Sequence, residues 1–363
     1  MIQPTQSTTQ SPDGTLLDRF PALELQVRRE LEATINEYKD SAAEYSPATA
    51  LLWERIGVSL NGGKLTRPRL VLLGHEAFGG QDNSRAVLLG CAFEMLHASL
   101  LMHDDVIDRD FVRRGRPTLS AHYRAEAISR GMSTADAEHA GHSAGIIAGD
   151  LLLAASIKLA HRAAETRPAS AGIEDCFQRG IQHAGAGELE DLLFSLAGTP
   201  AHVHEVLRME ELKTAAYSFQ MPLQSGALLA GADPEQSAEL GAIGSQLGVA
   251  YQLIDDVLGT FGDPDLTGKS IDSDLREGKS TILTAMASRT PAFALDFQHF
   301  RDGQSDLATL RESLRKAGAE PFARQLAEEL CQSAIQAAHH LRLPTRVSDA
   351  LADFATLILH RGA

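Results

Sequence analysis

Ala92-Phe93-Glu94-Met95-Leu96-His97-Ala98-Ser99-Leu100-Leu101-Met102-His103-Asp104-Asp105-Val106-Ile107-Asp108 is an apolar run that ends in carboxylates. Apolar residues recur through it at spacings of three and four, the pattern of a helix with a buried face. Acidic clusters rarely finish a core helix. At about 3.6 residues per turn, Asp104 and Asp108 sit one turn apart with Asp105 beside them, so three carboxylates gather at one helix end. The layout recurs about 150 residues later in Gly248-Val249-Ala250-Tyr251-Gln252-Leu253-Ile254-Asp255-Asp256-Val257-Leu258-Gly259. One such cluster is most simply a solvated surface. Two of them, each at the rim of a buried helix, point instead to cation sites.

Helical periodicity also runs over about residues 84 to 103, 143 to 164, 174 to 196, 236 to 258 and 322 to 341, with Pro and Gly between the segments. Strand signals are scarce. Aromatic content is 5% against 44% hydrophobic overall, a balance suited to closely packed Ala- and Leu-rich helices. No stretch after residue 20 reads as a linker, so an all-α fold in a single domain over 21–363 is expected. Residues 1–20, rich in Gln, Thr, Ser and Pro, read as a disordered tail.

Carboxylates in small number suit Mg2+, which keeps several waters and completes its shell with substrate phosphates. Two facing clusters therefore suggest a metal-bridged diphosphate, and cationic groups should accompany it. Gly62-Gly63-Lys64-Leu65-Thr66-Arg67-Pro68 places two cations around a glycine pair, and Arg113-Arg114-Gly115-Arg116-Pro117 follows the first Asp cluster. Lys213-Thr214 comes later, and Lys269 and Lys279 flank Asp274. Arginine grips phosphate with a planar fork and lysine as a point charge. Each alone would read as a surface charge.

Taken together, in order and spacing, these motifs resemble those of the trans-isoprenyl diphosphate synthases, or polyprenyl synthetases, in particular the geranylgeranyl diphosphate synthase type of actinobacteria. The resemblance runs from roughly residue 50 to 285. It implies a homodimer of helical bundles of the isoprenoid synthase type, each around a central apolar cavity with metals and diphosphates at its mouth. Carried over by position, Asp104, Asp105 and Asp108 would hold two Mg2+ ions and Asp255 a third, with Asp256 in support. Arg113, Lys213, Thr214, Gln252, Lys269 and Lys279 would contact the allylic diphosphate (dimethylallyl, geranyl or farnesyl). Lys64, Arg67, His97 and Arg114 would hold isopentenyl diphosphate. The helical wheel places His97 within about 20 degrees of Asp104, although a lone His on an apolar helix is ordinarily a core residue.

Three positions depart from the family pattern. Gly259 stands where the second motif usually ends in a third Asp, with Asp263 one turn on. Leu65 replaces an arginine, and Asp272 a common glycine. The Asp pairs and basic anchors are all present, which implies retained activity.

The resemblance implies chain elongation: the allylic carbon–oxygen bond breaks, the isopentenyl double bond attacks the cation, and a proton leaves to the released diphosphate. Charge that develops on a leaving group is stabilised most by preorganised cations. No convincing Ser-His-Asp or Cys-His set offers another chemistry. A phosphate-binding loop at Gly262 to Ser270 fails on spacing and follows a helix, and His103-Asp104 lacks the further His ligands of a phosphohydrolase. A terpene cyclase would not need Lys64, Arg67 and Arg114, and a silent partner subunit would not need both Asp pairs.

In this family the floor of the product cavity includes the positions four and five before the first motif, here Leu100 and Ser99. Neither is aromatic, so a product longer than fifteen carbons is expected, with geranylgeranyl diphosphate favoured over a farnesyl or longer polyprenyl product. The wheel alone favours Leu100, about 40 degrees from Asp104, over Ser99 at about 140 degrees. A deeper floor is expected near Ile157.

With 33 basic against 48 acidic residues the net charge is −15, which disfavours nucleic acid as a partner. Cys91, Cys176 and Cys331 have no metal spacing and read as reduced thiols. No charged, apolar leader opens the sequence. Ala144 to Leu159, interrupted by Asp150 and Lys158, reads as too short to span a bilayer. A cytoplasmic protein without membrane insertion is expected.

Overall fold

The long segments are helical because their apolar residues recur at helical spacing, and several start at a side-chain cap, as at Ser46, Asp82, Ser133 and Asp233. The computed structural model describes residues 16–113, 115–197, 199–262, 275 and 278–361. Arg114, Asp263, Lys269, Asp272 and Asp274 lie outside the described residues, as do residues 1–15. The helices are α1 (Leu16–Ala43), α2 (Pro47–Leu60), α3 (Thr66–Ala77), α4 (Asn83–Ile107), α5 (Leu119–Ser129), α6 (Thr134–Ala164), α7 (Ser170–Ala197) and α8 (Val203–Glu210). A π-helical segment, Glu211–Gln220, leads into α9 (Met221–Ala230) and α10 (Pro234–Phe261). Then follow α11 (Ile282–Ala287), α12 (Pro291–Arg301), α13 (Leu307–Lys316), α14 (Ala319–His340) and α15 (Thr345–Leu359). The strands among the described residues are a two-residue ribbon, β1 (Val112–Arg113) against β2 (Arg116–Pro117). The fold is the expected all-α bundle.

Helix starts fall earlier than periodicity alone suggests, because caps and polar first turns carry no apolar signal. Ser133 caps α6 by accepting from Asp136 N, ten residues before the apolar repeat begins at about residue 143. Asp233 does the same for α10, accepting from Glu235 N and Gln236 N, with Pro234 in the first turn. The N-terminal boundary moves too. α1 begins at Leu16, inside the expected tail of 1–20, because Phe20 is 2% exposed and the Arg69 guanidinium lies 4.0 Å over its ring.

One hydrophobic cluster runs from Phe20 to Ile358. α4 is its axis: Leu89, Phe93, Met95 and Leu96 are fully buried, and the helix packs against α6 on one side and α3 on another. At about 1.5 Å per residue, a helix of 25 residues spans about 37 Å. That length carries the chain from one surface to the Asp-rich rim. α4 and α6 each contain an 18-residue window with mean hydropathy of 1.5, long and apolar enough to cross a membrane. For α6 this corrects the reading of Ala144 to Leu159 as too short, since the helix spans 31 residues. The α4 window is 72% buried within the fold, as befits a core helix, and that of α6 50%. The outer face of α6 shows Ile146, Ile147 and Ile157 to solvent.

Candidate active site

The site begins where α4 runs out. Asp108 is the residue after its last turn, and its N–H donates to Asp104 O at 2.8 Å. Carboxylates at a helix C-terminus face the negative end of the macrodipole, so local energetics oppose this placement and nearby cations must stabilise it. They do. Arg113, presented by the ribbon that follows, donates from Nη2 to Asp104 and from Nε to Asp105, each at 2.5 Å. Lys213 lies 3.6 Å from Asp104, and Lys279 Nζ donates to Asp108 Oδ2 at 2.6 Å. Burial alone would raise the Asp104 carboxyl, but Lys213, Arg113 and Lys279 outweigh it and hold the group below the ordinary carboxylate range. Lys213 and Lys279 are pushed up in turn, because their carboxylate neighbours overcome the effect of burial.

Lys213 owes its position to the π-helical segment. The wider turn brings Lys213, Thr214 and Tyr217 to one cavity wall. α7 can approach that turn because Gly187 faces it: a β-carbon there would strike the Lys213 backbone. From α7, Asp191 accepts from Lys213 Nζ at 2.6 Å and Glu188 lies 3.0 Å from it. Burial raises Glu188 despite Lys213.

Opposite stands α10. Gln252, Asp255, Asp256 and Gly259 line the same cavity, one helical face at successive turns. Asp256 is 5% exposed and accepts from Gln252 Nε2 at 2.9 Å and from Ile282 N at 3.3 Å, so it braces α11. Asp255 points inward, 3.2 Å from Arg361. Glu210, at the end of α8, is buried beside Asp256. Burial first, and that neighbour second, push its carboxyl well above the usual range.

A second cationic group lies at the start of α3. Leu65 adopts φ 50°, ψ 41°, an uncommon left-handed conformation for a branched side chain, and is 1% exposed. Its burial offsets that cost and turns Lys64 and Arg67 toward the cavity. Arg28 of α1 fixes the preceding loop by donating to Gly63 O at 3.2 Å. Arg67 donates to Ser218 Oγ at 2.8 Å, lies 3.8 Å from Glu94 and sits 5.3 Å from the Tyr217 ring. His97 Nδ1 is 3.0 Å from the Tyr217 hydroxyl.

All of this surrounds one cavity of about 980 Å³. Lys64, Arg67, His97, Leu100, Asp104, Asp108, Arg113, Lys213, Thr214, Gln252, Asp255, Asp256 and Lys279, singled out from the sequence, all line it. Three expectations need correction. Asp105 does not line the cavity: one residue round the helix from Asp104, it is 7% exposed and shares Arg113 with Asp104, and burial raises its carboxyl to about 6. Ser99 is fully buried, its hydroxyl donates to Leu96 O at 2.9 Å, and it is absent from the lining, as the wheel angle foretold. Ile157 is 43% exposed on the outside of α6, not a cavity floor. Sequence reading missed Glu94, Glu188, Asp191, Glu210, Tyr217 and Arg361. A buried acid on an apolar face was the available signal for Glu94, Asp191 and Glu210.

The donor set fits a hard divalent cation. Asp104 and Asp108 from one helix and Asp255 from the other offer only carboxylate oxygens, and each is matched by a protein cation at 2.5 to 3.6 Å, so the sites call for positive charge. No three Asp, Glu, His or Cys side chains converge on one point among the described residues. That suits Mg2+, which takes one or two carboxylates and leaves the rest of its shell to water and phosphate.

The sequence matches the polyprenyl synthetase family over residues 54–307. The chain belongs to that family. Among its relatives, a geranylgeranyl diphosphate synthase of Sulfolobus acidocaldarius is 36% identical over 225 residues, covering 61% of this chain and 62% of the relative, just under two thirds of its length. A (2E,6E)-farnesyl diphosphate synthase of Mycobacterium bovis is 31% identical over 317 residues, covering 84% of this chain and 82% of the relative. Among solved structures, geranylgeranyl pyrophosphate synthase of Corynebacterium glutamicum, complexed with isoprenyl diphosphate and magnesium, superposes with a TM-score of 0.86 at 29% identity, covering 93% of this chain and 98% of that one. The solved structure shares the helical fold, and the three proteins are named for two different products.

Proposed function

We propose that the protein is a Mg2+-dependent prenyltransferase that extends an allylic diphosphate with isopentenyl diphosphate. The observation that carries this reading is that one cavity presents two separate cationic groups. Arg113, Lys213 and Lys279 sit among the Asp pairs, and Lys64, Arg67 and His97 lie at the start of α3 and on α4. Two anionic substrates meeting there need both. Terpene cyclisation would need only the first, and a silent partner subunit neither.

In this reading Asp104, Asp108 and Asp255 hold Mg2+, and Asp105 and Asp256 orient Arg113 and Gln252. When bound, the ions supply positive charge to the departing diphosphate. Arg113, Lys213 and Lys279 move from carboxylate to diphosphate oxygens and stabilise the charge that develops as the allylic bond breaks. Arg67, steadied by Ser218 and Glu94, holds isopentenyl diphosphate with Lys64 and His97 so that its double bond faces the allylic carbon. Leu100, Ala184, Leu189 and Leu192 give the cavity its apolar side and keep water from the cation. The proton lost on closing the new double bond goes to the released diphosphate.

Geranylgeranyl diphosphate is the favoured product, supported by the absence of an aromatic at Leu100 and by the relatives so named. A farnesyl product is the competing reading, because a relative of similar identity carries that name. A homodimer is supported by the outer apolar faces of α6 and α7, where Ile146, Ile147, Leu193 and Leu196 are exposed. A soluble cytoplasmic enzyme fits the burial of α4 in the core and the three buried free thiols. Incubation with isopentenyl diphosphate, each allylic diphosphate and Mg2+, followed by product chromatography, tests the proposal. A twenty-carbon diphosphate that fails to form without Mg2+ is expected, and no elongation with any starter overturns it.

A further inference from the structure

Arg361 lies in the turn after α15 and reaches into the cavity. Its Nη2 is 3.2 Å from Asp255 Oδ1, and its guanidinium carbon lies 4.0 Å over the Tyr251 ring. Tyr251 and Asp255 are four residues apart on α10, so one planar guanidinium spans a single helical turn, stacked on the ring and bridged to the carboxylate. Nη1 of Arg361 is buried without a hydrogen-bond partner among the described residues. Two of its five N–H donors are therefore unused. Among the described residues, Arg113, Lys213 and Lys279, which meet Asp104, Asp105 and Asp108, come from the ribbon, the π-helical segment and the loop before α11, each built into the cavity wall. Arg361 instead hangs from a helix end, where His360 N donates to Thr356 O at 3.1 Å and Arg361 N donates to Ile358 O at 3.4 Å.

We propose that Arg361 is a latch on Asp255: it occupies the carboxylate until a divalent cation displaces it, so that ion and guanidinium compete for one site. This rests on the reading of Asp255 as a metal ligand. A divalent cation and a guanidinium on one carboxylate repel each other unless further acids gather round them, as Glu188 and Asp191 do where Lys213 shares Asp104 with Arg113. Displacement therefore couples arrival of the ion to release of the turn after α15, and frees a guanidinium with spare donors at the diphosphate end of the cavity.

The test is Mn2+ titration of the full-length protein without substrate, free ion being counted by electron paramagnetic resonance. Wild type is compared with Arg361→Gln, Arg361→Lys and Arg324→Gln, the last removing a cation paired with Glu320 on the surface. The latch predicts about three- to tenfold tighter Mn2+ binding in Arg361→Gln, a smaller gain in Arg361→Lys and none in Arg324→Gln. Inorganic diphosphate should narrow the gap, because it gives the guanidinium another partner. Equal or weaker binding in Arg361→Gln, with a native circular dichroism spectrum, overturns the latch and leaves a structural staple. Should that variant fold poorly, Arg361→Lys decides by the same criterion. If no variant binds Mn2+ even with inorganic diphosphate, the metal assignment at Asp255 falls and the latch with it.

Discussion

Lys279 Nζ donates to Asp108 Oδ2 at 2.6 Å, across 171 residues of sequence. The bond ties the end of α4 to the loop that enters α11, and Asp256 holds that loop's far side through Ile282 N. The two Asp motifs are thus linked through one short segment, with Lys279 between them. A cation that bridges carboxylates at rest is already positioned for phosphate oxygens when they arrive.

Asp104→Asn and Asp255→Asn are expected to lower turnover by two decades or more while the fold persists. The rate loss corresponds to about 3 kcal/mol for one preorganised charge-stabilising group. Removing Asp104 does not simply relieve repulsion, because Arg113 and Lys213 lose a partner; a stability loss of about 2 kcal/mol is expected, seen as a lower melting temperature. Near-normal activity of both variants at saturating Mg2+ would sink the metal assignment.

The two cationic groups should separate by substrate. Arg67→Ala should raise the Michaelis constant mainly for isopentenyl diphosphate, since Arg67 is braced by Ser218 and Glu94 on the α3 side. Lys279→Ala should act mainly on the allylic substrate. Steady-state kinetics with each substrate varied in turn decide it, and equal effects on both substrates from each variant contradict the division.

The fold and the outline of this site were legible because α4 and α10 carry their signals locally: an apolar run, then carboxylates. Lys213 and Tyr217 share a wall for a reason periodicity could not give, since the π-helical turn changes which residues align. Arg361 was invisible because nothing near it in sequence marks a site; it meets Asp255 only through the packing of α15. Asp104, Asp105 and Asp108 look equivalent within five residues of sequence, but one step round the helix buries Asp105 behind the guanidinium it shares with Asp104. The start of α1 misled because one buried ring, Phe20, outweighs a polar composition.

Product length should respond to Leu100 more cleanly than to Ser99. Leu100 lines the cavity, so Leu100→Phe should shorten the main product toward fifteen carbons with little change in melting temperature. Ser99 is fully buried, so Ser99→Phe must displace packed neighbours at a cost of about 1 to 3 kcal/mol. Its expected shift toward farnesyl diphosphate should then come with lower stability. Chromatography of products from both variants, alongside thermal melts, separates the effects. A larger shift from Ser99→Phe than from Leu100→Phe would place the growing chain on the Ser99 side of α4 and remove Leu100 as the floor.

Glu210 gives a pH test that needs no substrate. Burial and the neighbouring Asp256 push its carboxyl well above the value of 4.5 it has when free. The folded state therefore holds this proton more tightly than the unfolded state does. The resulting stability is fully present below pH 4.5 and is lost as pH rises through the folded value. Glu210→Gln keeps the shape and a donor toward Asp256 but cannot ionise, so its loss with pH disappears. The melting temperature of the variant minus that of wild type should climb as pH rises above 4.5 and level off once pH passes the folded value. A difference that stays flat, or that falls, would show that Glu210 is not the proton-holding group.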